Sequence, residues 1–348
     1  MKRYGFLLAL TLPVMVVAGF LLGGTWNYLT IAFSYAALPL LDLWSGHERF
    51  QPARDEIAVL ERDPWYRSIL YLGAAMHFAL LVFGAWVVTH AAMPWWALAG
   101  FILSVGTSSG SIGIVIAHEL GHHLSKGDRL LSRALLVSVC YMHFYVEHNR
   151  GHHSHVATPD DPASARYGEN LYAFLPRTLV GSWVHAWHLE EARFAKQGRS
   201  AWTWENPMFW CVAWPVLLAA ALSLAFGAAA IWYFFLQAAI AVILLEAVNY
   251  IEHYGLERRL LADGSREKMS VVHSWNSSQR LSGYFLFNLT RHSHHHIQAQ
   301  RHYQALAHED DSPQMPAGYA GMLVLAFLPP VWERVMHPRL AAYRATAR

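Results

Sequence analysis

Three long stretches of this sequence carry no charge. Residues 4–41, 68–117 and 206–245 contain no Asp, Glu, Lys or Arg. A water-soluble core needs no charge-free runs of that length. About 20 apolar residues cross the hydrocarbon layer of a bilayer as a helix, so each stretch accommodates two spans. Six are expected, at about residues 4–24, 27–43, 68–90, 95–117, 207–227 and 230–250. Hydrophobic residues make up 55% of the 348 and charged residues only 14%, which sets aside an ordinary two-domain soluble protein. Cysteine is also scarce. Cys140 and Cys211 form neither a CxxC pair nor a zinc ribbon, so neither a disulfide framework nor thiol chemistry is expected. The net charge is only +2 and the basic residues form no stripe, so no nucleic-acid partner is expected. No repeat, Gly/Ser linker or low-complexity tract divides the chain.

The charges that are present lie together. Every Lys and Arg falls in residues 1–3, 49–67, 126–199 or 258–348, and the short connections at Gly23–Asn27, His90–Trp95 and Gly227–Ala230 have none. The positive-inside rule then places both termini and the two large polar segments, 118–205 and 251–348, in the cytoplasm. Lys2 and Arg3 ahead of an apolar run resemble a signal peptide. The run is too long for one, and a second apolar stretch follows at once, so a true span is expected. Met322–Pro329 is apolar but short and ends in two prolines; it reads as a helix lying against the domain or the membrane surface. The expected fold is an all-α integral membrane protein, 1–348, with six transmembrane helices and a cytoplasmic helical domain.

What that domain has in abundance is histidine, 22 residues against 24 Asp and Glu together. Four clusters stand at or beyond the cytoplasmic ends of spans four and six: His118-Glu-Leu-Gly-His122-His123, Glu147-His148-Asn-Arg-Gly-His152-His153, Asn249-Tyr-Ile-Glu252-His253-Tyr254-Gly255 and Arg291-His292-Ser-His294-His295-His296. Residues three or four apart on a helix share a face. His118 with His122, His148 with His152 and His153, and His292 with His295 and His296 are therefore expected to aim each cluster at a common point. Imidazole suits iron, copper, nickel and zinc. Nine convergent nitrogens exceed what one ion takes from protein, so two metals fit the count. A lone histidine is more often a surface or packing residue, and His47, His77, His90, His143, His185, His188, His273, His302, His308 and His337 are read so. HELGH also matches the HExxH pattern of zinc proteases, with Glu119 as base. That reading leaves most of the other histidines without a role.

These clusters resemble the histidine boxes of the membrane fatty-acid desaturase and hydroxylase superfamily. The nearer likeness is to membrane alkane hydroxylases (alkane 1-monooxygenases), on HELGH at 118–122, EHNRGHH at 147–153, NYIEHYGL at 249–256 and LTRHSHHH at 289–296. NYIEHYGL discriminates best, because desaturases generally lack it. HVATPDDPASARYGE at 155–169, RHYQAL at 301–306 and PAGYAGM at 316–322 add to the likeness. The resemblance implies a di-iron monooxygenase of the bacterial inner membrane. Two iron ions would be held by His118, His122, His148, His152, His153, His253, His292, His295 and His296, and would activate dioxygen for attack on an unactivated C–H bond, most simply an alkane's terminal methyl. It also implies electrons from a separate rubredoxin-type donor with its reductase, and a hydrocarbon substrate reaching the site from membrane lipid. An alkyl-aromatic methyl hydroxylase or a fatty-acyl desaturase or hydroxylase of the same superfamily is the alternative. The family usually has Lys where this chain has His123 and Asp where it has His294; either could be a supporting group or an alternative ligand. Carboxylates should orient the imidazoles through their second nitrogen, and Glu119, Glu147, Asp160, Asp161 and Glu252 are the candidates. Glu246, an ionisable group within a span, is expected to face the metal site near Asn249.

Overall fold

The computed structural model describes residues 3–346 and is helical throughout, with only isolated β-bridges among the described residues. Lys2, one of the two basic residues heading the first span, lies outside them. Five helices are long and apolar enough to cross a membrane: Arg3–Leu22, Pro64–His90, Trp95–His122, Pro207–Phe226 and Ala229–His253. The second expected span, 27–43, is instead a 3₁₀ segment (Gly24–Tyr28) running into a helix over residues 29–45, with a π-helical turn at Phe33–Ala37. At 1.5 Å per residue that helix is roughly 26 Å long, a little under the hydrocarbon thickness.

Two of the long helices carry the site. Trp95–His122 and Ala229–His253 run side by side, and both end at the same level in histidine. Gly106 lets them approach: a Cβ there would come within 2.6 Å of Ile240. Small residues allow such close contact between spanning helices. The Ser109 hydroxyl then donates to Gln237 Oε1 at 2.8 Å across the interface. Gly255, with φ of +69°, turns the chain sharply after His253, and its N–H bonds to Ala165 O at 2.9 Å.

The polar segments fold over these helix ends. Lys126–Val137 is amphipathic, capped by Ser125. Leu171–Ala195 is a 25-residue helix whose buried residues Leu171, Phe174, Thr178, Ser182, Ala186, Glu190 and Phe194 form one stripe at three- and four-residue steps. The apolar stretch near Met322 is the short helix Tyr319–Ala326, packed against Ala229–His253 and followed by Pro329–Thr346. Asp42, buried at the end of the second helix, accepts from the Ser282 N–H at 3.0 Å and so ties the N-terminal helices to the last histidine segment.

Candidate metal centre

The four histidine clusters meet in one buried place. His118, His122, His148 and His295 each present a ring nitrogen within 4.8 Å of the others, and so do His152, His253, His292 and His296. His153 belongs to neither group and stands between them, its Nε2 3.1 Å from His148 Nε2 and its ring 4.6 Å from that of His296. All nine histidines expected as ligands are therefore brought together.

The grouping differs from what spacing implied. His118 and His122, on regular α-helix, share a group as expected. His148 and His152, on a π-helical turn, do not. The two rings still stack, 5.2 Å apart against 5.0 Å for His118 and His122, yet they serve different groups. His292 and His296 fall in one group and their neighbour His295 in the other.

The donor set suits metal cations. His253 and His292 face each other nitrogen to nitrogen at 3.1 Å, His292 and His296 at 2.9 Å, and His122 and His148 at 3.1 Å. Bonds of about 2.0–2.1 Å to a shared ion would set ligand nitrogens at about this separation. The Nε2 atoms of His118, His152 and His295 are buried with no hydrogen-bond partner, which burial penalises unless something else satisfies them. Burial pushes His148, His153, His292, His295 and His296 well below the usual histidine pKa. These rings are neutral, the form that ligates. His118, His122 and His253 also lie in the last turns of their helices, where the dipole favours positive charge.

Carboxylates support some of these rings. His152 Nδ1 lies 2.9 Å from Asp161 Oδ2, and Asp161 is fixed by the Ser164 hydroxyl at 2.6 Å. Burial alone would depress His152, but the Asp161 charge outweighs it and the pKa is raised. In the neutral ring, the contact with Asp161 favours the proton on Nδ1 and leaves Nε2 free. Glu252 Oε1 is 3.2 Å from His292 Nδ1, though not aligned for a straight hydrogen bond, and it accepts from the Tyr319 hydroxyl at 2.8 Å. His253 Nδ1 faces the His273 carbonyl at 3.3 Å.

The remaining expected partners are placed otherwise. Asp160 is exposed, while its neighbour Asp161 turns inward. Glu147 sits 3.1 Å from His185 Nδ1. Glu246 is buried and accepts from Tyr141, Thr178 and Asn249. Glu119 Oε1 is 3.1 Å from His123 Nε2 and accepts from the Tyr303 N–H at 3.0 Å. It is thus engaged away from the role a protease base would need. His123 also meets Asp128 at 2.9 Å, and His294 Nδ1 meets Glu309 at 2.9 Å; neither joins a histidine group. Tyr319, Ser164 and the His273 carbonyl escaped the sequence reading. Tyr319 and the His273 carbonyl lie 67 and 20 residues along the chain from the groups they hold, while Ser164 is only three from Asp161.

Removing the Asp161 carboxylate tests this support directly. Asp161→Asn should lower metal affinity about 10–100-fold, read by chelator competition on purified protein. Unchanged affinity would show that Asp161 does not hold His152.

A narrow apolar cavity of about 50 Å³ adjoins the site from the membrane side, with His118, His148 and His292 at one end and Ile114, Leu244 and Val248 along it.

Comparison with known proteins agrees with this arrangement. The fatty acid desaturase family model matches residues 93–326. Alkane 1-monooxygenase 2 of Pseudomonas aeruginosa is 41% identical over 99% of this chain and 94% of its own length. Alkane 1-monooxygenase 1 of the same organism is 42% identical over 92% of this chain and 84% of its own. Alkane 1-monooxygenase 2 of Alcanivorax borkumensis is 38% identical over 99% and 92%.

Proposed function

Because the chain belongs to the alkane 1-monooxygenases of the fatty acid desaturase family, we propose that it is an integral membrane, di-iron enzyme that hydroxylates the terminal methyl of an alkane. One oxygen atom of dioxygen enters the alcohol, and the other leaves as water with two electrons and two protons. The observation that carries this reading is the pair of buried histidine quartets at the ends of the membrane helices. His118, His122, His148 and His295 would hold one iron, and His152, His253, His292 and His296 the other, with His153 as ninth ligand between them. Iron held there would supply the reductive activation of dioxygen that no side chain can perform.

The chain's own part is positioning and exclusion. Asp161 and Glu252 orient His152 and His292. The apolar cavity below the quartets takes the end of a methylene chain and keeps water away from it. Its narrowness favours attack at the chain end, because only the end reaches the histidines. The distribution of Lys and Arg supports a cytoplasmic orientation for this face, and the membrane would be a bacterial inner membrane. Electrons would come from a separate rubredoxin-type donor with its reductase, since this chain contains no CxxC pair.

The test is a paired assay on detergent-purified protein. Iron is measured per chain, and octane is supplied with dioxygen, rubredoxin, reductase and a nicotinamide reductant. Two irons with 1-octanol as product are expected. Stoichiometric zinc without reductant-dependent product would overturn the reading.

A further inference from the structure

On the side of the centre away from the substrate cavity lies a much larger trench. It encloses about 1400 Å³ and runs outward from His122, His153 and His296 between the Lys126–Val137 and Pro207–Phe226 helices. Its two ends differ in chemistry. Arg129 and Arg133, one helical turn apart, line it near the polar mouth, while Phe78, Leu217 and Leu218 line its outer part. Trp214 and Leu217 are 49% and 53% exposed on the face that meets lipid. The tryptophans Trp204, Trp210 and Trp214 cluster at the start of Pro207–Phe226, with Trp210 stacked on Trp214 at 5.5 Å. Such aromatic groups sit at headgroup depth. The arginines therefore stand at the level of lipid phosphates, above an apolar channel.

The charge at the mouth is not neutralised. Arg150 and Arg193 both pair with the buried carboxylate of Glu190. Among the described residues, Arg129 and Arg133 have no carboxylate within 4.0 Å. Arg133 lies over the Tyr145 ring at 4.4 Å, and Arg129 donates through Nη2 to the Leu124 carbonyl while its buried Nε has no partner. Leu124 and Leu130 beside them are 72% and 68% exposed, as suits a helix lying on a membrane surface.

We propose that this trench seats one anionic phospholipid, its phosphodiester held by Arg129 and Arg133 and one acyl chain lying along Phe78, Leu217 and Leu218. A two-part occupant with an anion at interfacial depth and an alkyl chain below it matches the trench at both ends. A folded protein partner would satisfy the arginines but leave the apolar part empty. A seated lipid also closes the lateral approach to His122, His153 and His296, so that the centre is sealed by membrane as well as by protein. The assignment goes beyond the proposed activity and holds whichever metal the histidines take.

The test uses the full chain in nanodiscs of equal phosphatidylglycerol and phosphatidylcholine, released gently for native mass spectrometry. Wild-type protein should retain about one phosphatidylglycerol in preference to phosphatidylcholine. R129Q/R133Q should lose that preference by ~30-fold, as expected when two interfacial cations are removed, and R129K/R133K should keep most of it. Circular dichroism on each variant confirms that the helices persist. Retained lipid of bulk composition, or a preference unchanged in R129Q/R133Q, would overturn the proposal. So would an unaltered lipid preference with lost binding of an acidic redox protein, which would make the arginines a protein-docking site.

Discussion

His253→Ala is expected to abolish hydrocarbon oxidation, by at least about a hundredfold, and to lower metal content from two ions toward one. The residue ends the Ala229–His253 helix, is wholly buried, and faces His292 Nε2 at 3.1 Å. Groups that merely orient a ligand cost about 10–100-fold when removed, so loss of a ligand sets the lower bound. No neighbour can replace it, since Gly255 turns the backbone away immediately after and the other imidazoles of its quartet come from different segments. The control is His90→Ala, an exposed histidine at the opposite end of a spanning helix, which should retain both ions and full rate. Metal analysis with product quantification decides the matter. Full metal content and rate in His253→Ala would remove that residue from the site.

Val248→Trp should produce the complementary phenotype: full metal content, with octane hydroxylation reduced by about a hundredfold or more. Val248 lines the narrow cavity that ends at His118, His148 and His292, and that cavity holds only about 50 Å³. An indole there would occupy the space a methyl group must reach. A displacement of about 1 Å from the reactive position can cost 10²-fold, and exclusion costs more. A variant that kept its metal and its octane rate would show that the chain approaches from elsewhere. Together the two substitutions separate the metal centre from access to it.

The sequence was readable where local rules were obeyed. Charge-free runs marked the spans because burial in lipid forbids charge. His118 and His122 could be paired because they lie on ordinary α-helix. His148 and His152 do share a face, their rings stacked 5.2 Å apart, but spacing alone does not tell which quartet each nitrogen serves. The second span was expected at 27–43, but a 3₁₀ start displaces the helix to 29–45, with a π-turn inside it. The Leu171–Ala195 helix shows no apolar period to read, because its buried stripe includes Thr178, Ser182 and Glu190. Contacts such as Tyr319 with Glu252, 67 residues apart, follow from the fold alone. No spacing argument reaches that far.

The histidines of residues 148–152 fall in different quartets, and those of residues 292–296 are divided too. The two quartets are thus interleaved along the chain, and each borrows its walls from the segments that build the other. An ion settling in either quartet would order backbone that both require, so the conformational entropy of assembling the second would already be spent. Neither site is an independent module that evolution could add, delete or retune by itself. A partly loaded population would then consist mainly of empty and doubly filled molecules, with few carrying a single ion.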